Sequence, residues 1–399
     1  FSSRRRHTRS GPQSRGLGDV YKRQPIIYTF NGTWSPSDPN GVATTGDDIV
    51  IASGDAIINT NTTCNRIDVL PGASITVTAG VTLTPTDILQ LQSSSTSYSS
   101  LILDGTVAGS ILYDRHVNIN GSGSTGSNDL VSAPLTGQSF SDVAAGNPNI
   151  LNNGTLYLFG PFEKTTGSFV TWAGTETATL DAGVGYRAAT SDNTVVTFGG
   201  TAENGNVTYD LVNGGTNNEE WNLVGNPYPS YLNVQDFLLE TGSGLQNIQL
   251  FDPPTAAIYG YDGSALNGWT VYNLATTTAS TVMAPGQGFF VSANAANTAG
   301  FDLLFTPNMR RTGSSDDFIV GRNAELIYVK LKASTADDTF GTDIYFNNNA
   351  SQGFDIGYDA SLWGDTTPDF ALYSHLVQDN TGISMALQAL NASNLADVT

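Results

Sequence analysis

The stretches Trp221–Phe237, WNLVGNPYPSYLNVQDF, and Val282–Ser292, VMAPGQGFFVS, decide the fold of this 399-residue chain. The first starts as a short apolar strand. It ends at two prolines, which fix φ and cannot donate a backbone hydrogen bond. The second is a Pro-Gly turn and a Gly-x-Gly, followed by a strand that opens with two phenylalanines. Both patterns predict short buried strands separated by tight turns, and neither is a catalytic motif.

The composition predicts an all-β protein. Hydrophobic residues make up 39% of the chain and charged residues only 13%. The remaining polar residues are mainly Gly, Ser, Thr, Asn and Asp, which are typical of turns and of strands with one solvated face. No long window has the 3.6-residue apolar period of a helix. The best helical candidates are short, at 234–239 and near 386–390.

The net charge argues against nucleic acid and anionic lipid as partners, and the cysteine content and apolar runs exclude an intramolecular disulfide and a membrane span. The formal net charge is -20, and residues 1–24 hold seven of the 16 basic residues and one of the 36 acidic ones. The rest therefore has 9 basic and 35 acidic residues, a net charge of -26. Such a field repels nucleic acid and anionic lipid. The single cysteine, Cys64, excludes an intramolecular disulfide, and no apolar run reaches the length of a membrane span.

The first 24 residues, FSSRRRHTRSGPQSRGLGDVYKRQ, differ from the rest of the chain. They are rich in arginine and lack both periodicity and the apolar segment of a secretory signal. A basic arm for nucleic acid is one interpretation. The stretch also resembles the conceptual translation of a sequencing adapter. We therefore expect residues 1–24 to be a non-native, disordered leader in place of a genuine signal peptide.

Residues 25–110 predict a short β-solenoid, or β-helix. Runs of alternating apolar residues closed by glycine or Pro-Gly recur at 48–54, 66–74, 75–85 and 101–110. An enzymatic β-helix of the pectate lyase type has more coils and a face lined with acidic and basic catalysts, which this stretch lacks. The serine-rich segment Ser93–Ser100 predicts a disordered insertion or a long loop.

An internal repeat follows the predicted solenoid. DLVSAPLTGQSF (129–140) aligns with NLVGNPYPSYLN (222–233), LYLF (156–159) with IQLF (248–251), and Phe169–Trp172 with Trp269–Tyr272. Gly183–Tyr186 aligns with Gly286–Phe289, an offset that grows from 93 to 103 residues because the second copy has longer loops. The repeat predicts two tandem β-sandwich domains, at 111–215 and 216–313, or one pseudo-symmetric pair that shares an interface. A truncated C-terminal β-domain follows at 314–399, where AELIYVKLKAS (324–334) is a clear strand.

These motifs resemble a known family. WNLVGNPYPS and PGQGFFV are similar to segments of large surface proteins of the Bacteroidetes that are exported by type IX secretion. The resemblance extends to the N-terminal region, where Trp34, Asp47, Asp48 and Leu70–Ala73 fill a recurring pattern. It also covers 337–364, where Phe354, Asp355, Tyr358 and Asp359 match but the Lys-Leu of the family pattern is missing. The resemblance implies an extracellular protein at the outer surface of a Gram-negative bacterium, here a fragment that lacks the C-terminal sorting domain.

Residues capable of catalysis or metal binding are scattered. His7, His116 and His375 are far apart in sequence and have no cysteine or second histidine at ligand spacing, which argues against zinc. Carboxylates for glycoside hydrolysis could come from six glutamates, whose spatial separation would decide the mechanism. They are Glu163, Glu176, Glu203, Glu219, Glu220 and Glu240. Their Gly, Asn and Thr neighbours favour solvated loop positions instead.

Two binding sites are conceivable. Calcium could bind carboxylates at Asp337, Asp338 and Asp343, or at Asp355 and Asp359, although the spacing fits no EF-hand and a solvated acidic loop is the simpler interpretation. The second copy also holds a cluster of aromatic residues that could stack on sugar rings or fill a core. They are Tyr228, Tyr231, Tyr259, Tyr261, Trp269 and Tyr272. We expect no catalytic, cofactor or metal site.

The sequence thus favours a non-catalytic structural or adhesin-like protein. Its expected partners are surface glycans or other cell-surface proteins, with no nucleic acid and no membrane-spanning segment. The alternative is a carbohydrate-binding accessory region of a larger polysaccharide-degrading enzyme. A hydrolase that acts within this chain is a third hypothesis.

Overall fold

The computed structural model describes residues 23–118, 128–215, 218–242, 244–261, 269–296, 301–316, 327–336, 339–362 and 367–393, with the backbone alone at Trp269. The fold is all-β, with 46% strand and 8% helix, as the composition predicted. His7, Asp337, Asp338 and most of the predicted leader lie outside the described residues. No described helix has both the length and the apolar character needed to cross a bilayer.

The elements divide into three groups along the chain. The first holds β1 (Ile27–Asn31), β2 (Trp34–Ser35), β3 (Asp48–Ser53), β4 (Asp55–Ile58), β5 (Thr62–Val69), β6 (Ser74–Val77), β7 (Thr82–Leu91), β8 (Ser93–Ser94), β9 (Ser97–Tyr98), β10 (Ser100–Leu103), β11 (Thr106–Val107) and β12 (Ser110–His116). The second holds β13 (Asp129–Ser132), α1 (Phe140–Gly146), β14 (Phe159–Glu163), β15 (Ser168–Phe169), β16 (Gly185–Ala188), β17 (Val195–Gly200), β18 (Val207–Leu211), β19 (Trp221–Gly225), β20 (Tyr231–Asn233), α2 (Val234–Leu239), β21 (Ile258–Tyr261), β22 (Trp269–Tyr272), β23 (Val282–Met283), β24 (Gly288–Ser292), β25 (Phe301–Phe305) and β26 (Arg310–Arg311). The third holds β27 (Tyr328–Ser334), β28 (Thr339–Phe346), β29 (Ala360–Ser361) and β30 (Met385–Leu390), and 3₁₀ helices lie at Asn247–Leu250, Pro253–Thr255 and Pro307–Met309.

The first group is a β-solenoid of about four turns, which confirms that prediction. Strands β1, β3, β5, β7 and β12 stack in parallel in one sheet, and β4, β6 and β10 stack in a second. Inward-facing apolar residues align from turn to turn and are buried: Tyr28, Ile49, Ile67, Leu89 and Ile111 in the first sheet, and Ala56, Ile75 and Leu101 in the second. Corners between the sheets turn at Gly54 and Gly72, whose φ values of 76° and 80° favour glycine.

Antiparallel strands lie at both ends of the large solenoid sheet. At the N-terminal end β2 pairs with β1, and Trp34 meets Phe30 edge to face at 4.9 Å. At the other end β17 pairs with β12. Asp47 secures the N-terminal end from a fully buried position, where it accepts hydrogen bonds from the backbone N–H of Ile26 and Thr44. Burial raises the pKa of Asp47, but these hydrogen bonds and Arg23 outweigh burial and lower it to about 2.

The prediction of a disordered or looped segment at Ser93–Ser100 is wrong. The segment contains the β8–β9 hairpin and the start of β10, and Tyr98 is fully buried. The Ser93 hydroxyl donates to the Asp114 carbonyl at 2.6 Å and accepts the His116 N–H at 2.7 Å. A serine-rich composition does not imply disorder where hydroxyl groups can satisfy the backbone of a neighbouring strand.

The second group contains one order of elements twice. The first order is β13, α1, β14, β15 and β16, whose four strands form a sheet of order β13-β16-β14-β15. The second is β19, α2, β21, β22 and β24, whose four strands form a sheet of order β19-β24-β21-β22. A flanking strand precedes and follows each set, and the two flanking strands pair with each other: β12 with β17, and β18 with β25. Both sheets therefore have the same topology, although β20, β23 and β26 form a three-stranded sheet in the second copy alone among the described elements.

Strand register follows the residues that the sequence repeat aligns. Val131 pairs with Tyr186 in the first copy, and Val224 pairs with Phe289 in the second. In the sequence repeat, Val131 aligns with Val224 at an offset of 93 residues, and Tyr186 aligns with Phe289 at an offset of 103 residues. The alignment of 156–159 with 248–251 has no structural counterpart, because Asn247–Leu250 is a 3₁₀ helix. The equivalent strands are β14 and β21. Each is the first strand of a hairpin, β14–β15 in the first copy and β21–β22 in the second.

Each repeat sheet is buried on both faces. Val131 and Tyr186 face one apolar cluster, and Val224 and Phe289 face a second. Leu130, Leu223 and Phe290 point the opposite way into a third cluster that the two sheets share. The predicted helix at 234–239 is confirmed as α2, which starts where the Asn233 side chain accepts the Asp236 N–H at 2.8 Å.

The third group is one sheet of order β27-β28-β30-β29 that packs against the second copy. The Tyr259 hydroxyl donates to the Ser361 carbonyl at 3.0 Å, and the Leu274 N–H donates to the Gly357 carbonyl at 2.7 Å. The predicted helix near 386–390 is wrong, because these residues belong to β30, parallel to β28. Its sequence MALQAL has helix formers, but burial in the middle of a sheet overrides local propensity.

Candidate functional site

The two repeat sheets meet across a reciprocal interface. Val131 forms an antiparallel bridge with Gln287, and Val184 forms one with Val224. Val131 is equivalent to Val224 in the repeat, and Val184 is equivalent to Gln287. Each copy therefore presents the same two positions to the other, as a two-fold axis would require.

Backbone hydrogen bonds repeat this reciprocity. The Ser132 N–H donates to the Gly286 carbonyl at 2.8 Å, and the Gly225 N–H donates to the Gly183 carbonyl at 2.9 Å. Gly183 and Gly286 have φ values of 78° and 64°, so both turns use the left-handed conformation that favours glycine. The two glycine turns that the sequence repeat aligned therefore make the same contact from opposite sides.

Glycines without room for a side chain line this interface. A Cβ atom at Gly288 would lie 2.7 Å from the Val131 carbonyl oxygen, and one at Gly185 would lie 2.7 Å from the Val224 carbonyl oxygen. Real Cβ atoms essentially never approach backbone this closely. The backbones of the two copies are thus in direct contact. Even the methyl group of an alanine at Gly185 or Gly288 would prevent this contact.

Arg115 joins the solenoid to this interface. It lies near the end of β12 with no exposed surface, and its guanidinium contacts the second copy. It donates to the Gly286 carbonyl at 3.3 Å, to the Gln287 side-chain oxygen at 3.2 Å and to the Tyr98 hydroxyl at 2.6 Å. A fully buried arginine persists only where its donors are satisfied, so this junction is specified by hydrogen bonds as well as by packing.

Gln287 extends the junction into the first copy. Its amide nitrogen donates to the Leu130 carbonyl and to the Gly288 carbonyl, each at 2.9 Å. Its oxygen accepts from Arg115. One buried side chain thereby contacts the solenoid, the first copy and the second copy.

A second set of contacts links the last solenoid turn to the second copy. The Leu101 N–H donates to the Pro229 carbonyl at 2.7 Å, and the Tyr98 N–H donates to the Tyr231 hydroxyl at 3.2 Å. Arg310, almost fully buried, forms an ion pair with Asp104 at 2.6 Å. These contacts and the Arg115 network together form what we call the junction.

The sequence did not single out Arg115, Gln287 or Arg310. A signal was present in each case: an arginine within an apolar alternating run, a glutamine between two turn glycines, and a basic residue in a chain that has few. None of these indicates a partner that lies far away in sequence.

The structure shows hydrogen-bond partners for four of the six candidate glutamates, two of them close in sequence and two of them 66 and 67 residues away. Four accept a hydrogen bond from a nearby backbone N–H or a threonine hydroxyl: Glu163 from Thr165, Glu176 from Ala178, Glu203 from Thr136 and Glu240 from Thr306. Such contacts are typical of acids that order loops.

The candidate calcium ligands do not assemble in the described part of the chain, where no three acidic, histidine or cysteine side chains are grouped to hold a metal ion. Asp343 instead lies 3.6 Å from Lys330. Asp355 accepts hydrogen bonds from the backbone and hydroxyl of Ser351. Asp359 is fully buried and accepts the N–H of Ala389 at 2.8 Å. Asp355 and Asp359 therefore fix the loop before β29.

The buried position of Asp359 gives a testable pH dependence. Burial raises the pKa of Asp359 to about 6, although hydrogen bonds from the backbone of Ala389 and Asp355 act in the opposite direction and lower it. The folded protein thus holds a proton that the unfolded chain releases near pH 4, so the free energy of unfolding falls as the pH rises from about 4 to about 6. We expect a total loss of about 3 kcal/mol between pH 3 and pH 7, of which about 2 kcal/mol falls between pH 4.5 and pH 7.

Urea denaturation of the wild type and Asp359→Asn at pH 4.5 and pH 7 measures this loss, since the variant lacks the titrating group. The exposed Asp87→Asn is the matched control and is expected to keep the wild-type dependence. An Asp359 carboxyl that titrates near pH 4 by NMR contradicts the prediction.

The two described histidines and the cysteine are separate. His116 is buried in β12 with Nε2 3.1 Å from the Asn193 carbonyl, and His375 has Nδ1 3.0 Å from the Ile383 carbonyl. Cys64 is buried in the solenoid, and burial raises the pKa of its thiol to about 12. A thiol of this kind is not a nucleophile at neutral pH.

The aromatic residues considered for sugar binding lie mostly inside the protein. Tyr228, Tyr231 and Tyr259 are fully buried. Tyr261 and Tyr272 are half-buried, and the side chain of Trp269 lies outside the described residues. Core packing therefore accounts for the three buried tyrosines.

Comparison with known proteins identifies the family. A match to the family described as "Domain of unknown function (DUF8693)" covers residues 29–393. The chain belongs to the DUF8693 family. The match starts within β1 and ends shortly after β30, so the DUF8693 region contains the solenoid, both repeat sheets and the C-terminal sheet. No curated protein and no solved structure matches the chain.

Proposed function

We propose that this DUF8693 protein is a non-catalytic structural or adhesin-like protein of the bacterial cell surface. The observation that carries the proposal is the junction, where the solenoid and both repeat copies are joined by buried hydrogen bonds centred on Arg115 and Gln287. Buried polar contacts of this kind fix the relative orientation of the parts. A fixed orientation suits a scaffold that holds its shape outside the cell.

Export by type IX secretion is part of the proposal. It rests on the resemblance of WNLVGNPYPS and PGQGFFV to surface proteins of the Bacteroidetes. The strongly acidic composition agrees with a soluble extracellular location. Other cell-surface proteins are the proposed partners of the scaffold, whereas surface glycans would be the partners under the alternative below.

We further infer that the repeats are tandem duplicated β-sandwich domains arranged as a pseudo-symmetric pair. In each copy a four-stranded sheet lies on one side of an apolar cluster, and the flanking strand pair contributes to the same cluster from another side. Val196 and Phe198 of β17 occupy the first cluster, and Leu303 and Phe305 of β25 occupy the second. The shared topology supports descent from one duplicated unit.

The alternative, a carbohydrate-binding accessory region, receives less support. Sugar-binding surfaces present flat aromatic rings to solvent. Three of the six aromatic residues considered for that role, Tyr228, Tyr231 and Tyr259, are buried in cores. A scaffold interpretation accounts for their burial directly.

Three measurements test the proposal. Antibodies raised against residues 25–399 are expected to label intact cells of the source bacterium as strongly as permeabilised ones. The purified chain is expected to bind no component of a glycan array and to release no reducing sugar from plant or bacterial polysaccharides. Label confined to permeabilised cells contradicts the surface role. Saturable glycan binding favours the alternative, and sugar release favours a hydrolase.

A further inference from the structure

Apolar side chains are exposed along the edge strand β27 and at the residue just before it. Ile327 is 72% exposed, Val329 is 44% exposed and Leu331 is 47% exposed. All three project from the same face, since side chains alternate along a strand. In the part of the chain that the structure describes, β27 pairs with β28 alone and lies at the end of its sheet. An apolar strand at a sheet edge is a surface on which another strand can pair.

The opposite face of β27 carries lysines. Tyr328 packs there on Tyr345 with ring centroids 5.2 Å apart, followed by Lys330 and Lys332. Lys332 is exposed, and Lys330 reaches Asp343 on the paired strand at 3.6 Å. β27 therefore alternates between apolar residues on one face and cationic residues on the other.

The lysines discriminate between possible occupants. The chain has three lysines after residue 24, and two of them are on β27, although the protein is strongly acidic. A second copy paired antiparallel through β27 would bring these lysines together, and like charges on adjacent strands are destabilising. Lysines on an edge strand oppose self-association in this way. Acidic side chains on an incoming strand would be attracted instead.

We propose that the β27 edge is a docking site for an extended segment of a partner protein that alternates apolar and acidic residues. The segment adds to the sheet as a further strand. Its apolar side chains cover Ile327, Val329 and Leu331, and its acidic side chains face Lys330 and Lys332. Backbone hydrogen bonds supply affinity, and the alternation of charge and apolar surface supplies specificity. This inference is independent of the proposed scaffold role.

A synthetic strand tests the proposal. The probe is a fluorescein-labelled peptide of about eight alternating valine and glutamate residues, measured by fluorescence anisotropy against the full chain. A peptide with lysine in place of glutamate and a block-ordered peptide of the same composition are the comparisons. Saturable binding is expected for the alternating valine–glutamate peptide, at least about tenfold tighter than for either comparison.

Variants locate the site. Lys332→Glu is expected to weaken binding of the valine–glutamate peptide about tenfold and to strengthen binding of the valine–lysine peptide, because the charge at the edge is reversed. Arg66→Glu changes the net charge equally on the distant solenoid and is expected to leave both affinities unchanged. Equal binding of all three peptides, no binding, or an unaltered preference in Lys332→Glu overturns the proposal. Dimerisation of the wild type that Leu331→Lys abolishes also overturns it, in favour of self-pairing.

Discussion

Gly288→Ala is expected to lower the free energy of unfolding by about 3 kcal/mol, a large effect for one methyl group. The new Cβ would lie 2.7 Å from the Val131 carbonyl oxygen and 2.9 Å from the Val131 nitrogen. Because both atoms belong to the backbone, no rotation of a side chain relieves the overlap. The two repeat sheets must separate or the strands must shift. Guanidinium denaturation followed by tryptophan fluorescence measures the change.

Gly146→Ala is the matched control. Gly146 is exposed near the end of α1, and a Cβ there meets nothing within 4 Å. Because alanine has the higher helix propensity, this variant is expected to be neutral or slightly more stable. Gly185→Ala should resemble Gly288→Ala, since it is the equivalent position in the other copy. If Gly288→Ala is as stable as the control, the close approach of the two copies is wrong.

The second large effect is expected at Arg115. Arg115→Met retains much of the volume but leaves the Gly286 carbonyl, the Gln287 side-chain oxygen and the Tyr98 hydroxyl without this donor. Buried polar groups that lose a partner cost about 1 to 3 kcal/mol each, so we expect a total loss of about 4 kcal/mol in the free energy of unfolding. Differential scanning calorimetry measures the loss. It is also expected to split the transition, with the solenoid and the repeats unfolding separately.

Two further variants make the result specific. Arg115→Lys keeps the positive charge, but its fewer donors are all on one nitrogen atom. It is therefore expected to recover less than half of the stability that Arg115→Met loses. Arg66→Met removes a half-buried arginine that pairs with Asp68 near the surface, and a loss below about 1 kcal/mol is expected. An Arg115→Met variant as stable as Arg66→Met shows that the junction does not hold the parts together.

Local sequence patterns predicted the solenoid and several strands, because the apolar period and the turn residues that specify these elements lie within a few residues of one another. The alternating run at 66–74 covers the second half of β5 and the turn into β6, and the Gly-x-Gly before two phenylalanines is the turn that leads into β24. The short helix at 234–239 was found from its sequence alone. In each case the period of apolar residues and the turn residues agree with the tertiary environment.

Other features depend on distant neighbours and could not be read locally. β30 has a helix-favouring sequence, and its identity as a strand comes from burial beside β28. Arg115 contacts a carbonyl 171 residues away, so nothing near it in sequence reveals the contact. The repeat did align the two halves, but the reciprocity between Val131 and Gln287 and between Val184 and Val224 emerged only in three dimensions.

Among the described residues, the hydrogen bonds between the solenoid and the second copy all involve residues 98–115 of the solenoid. The earlier coils stack on this last coil and extend from it as an arm. Adding or removing a coil of about 20 residues would therefore change the reach of the arm by about 4.8 Å and leave its attachment unaltered. The number of coils can thus change without altering the junction, with β2 remaining at the free end of the arm.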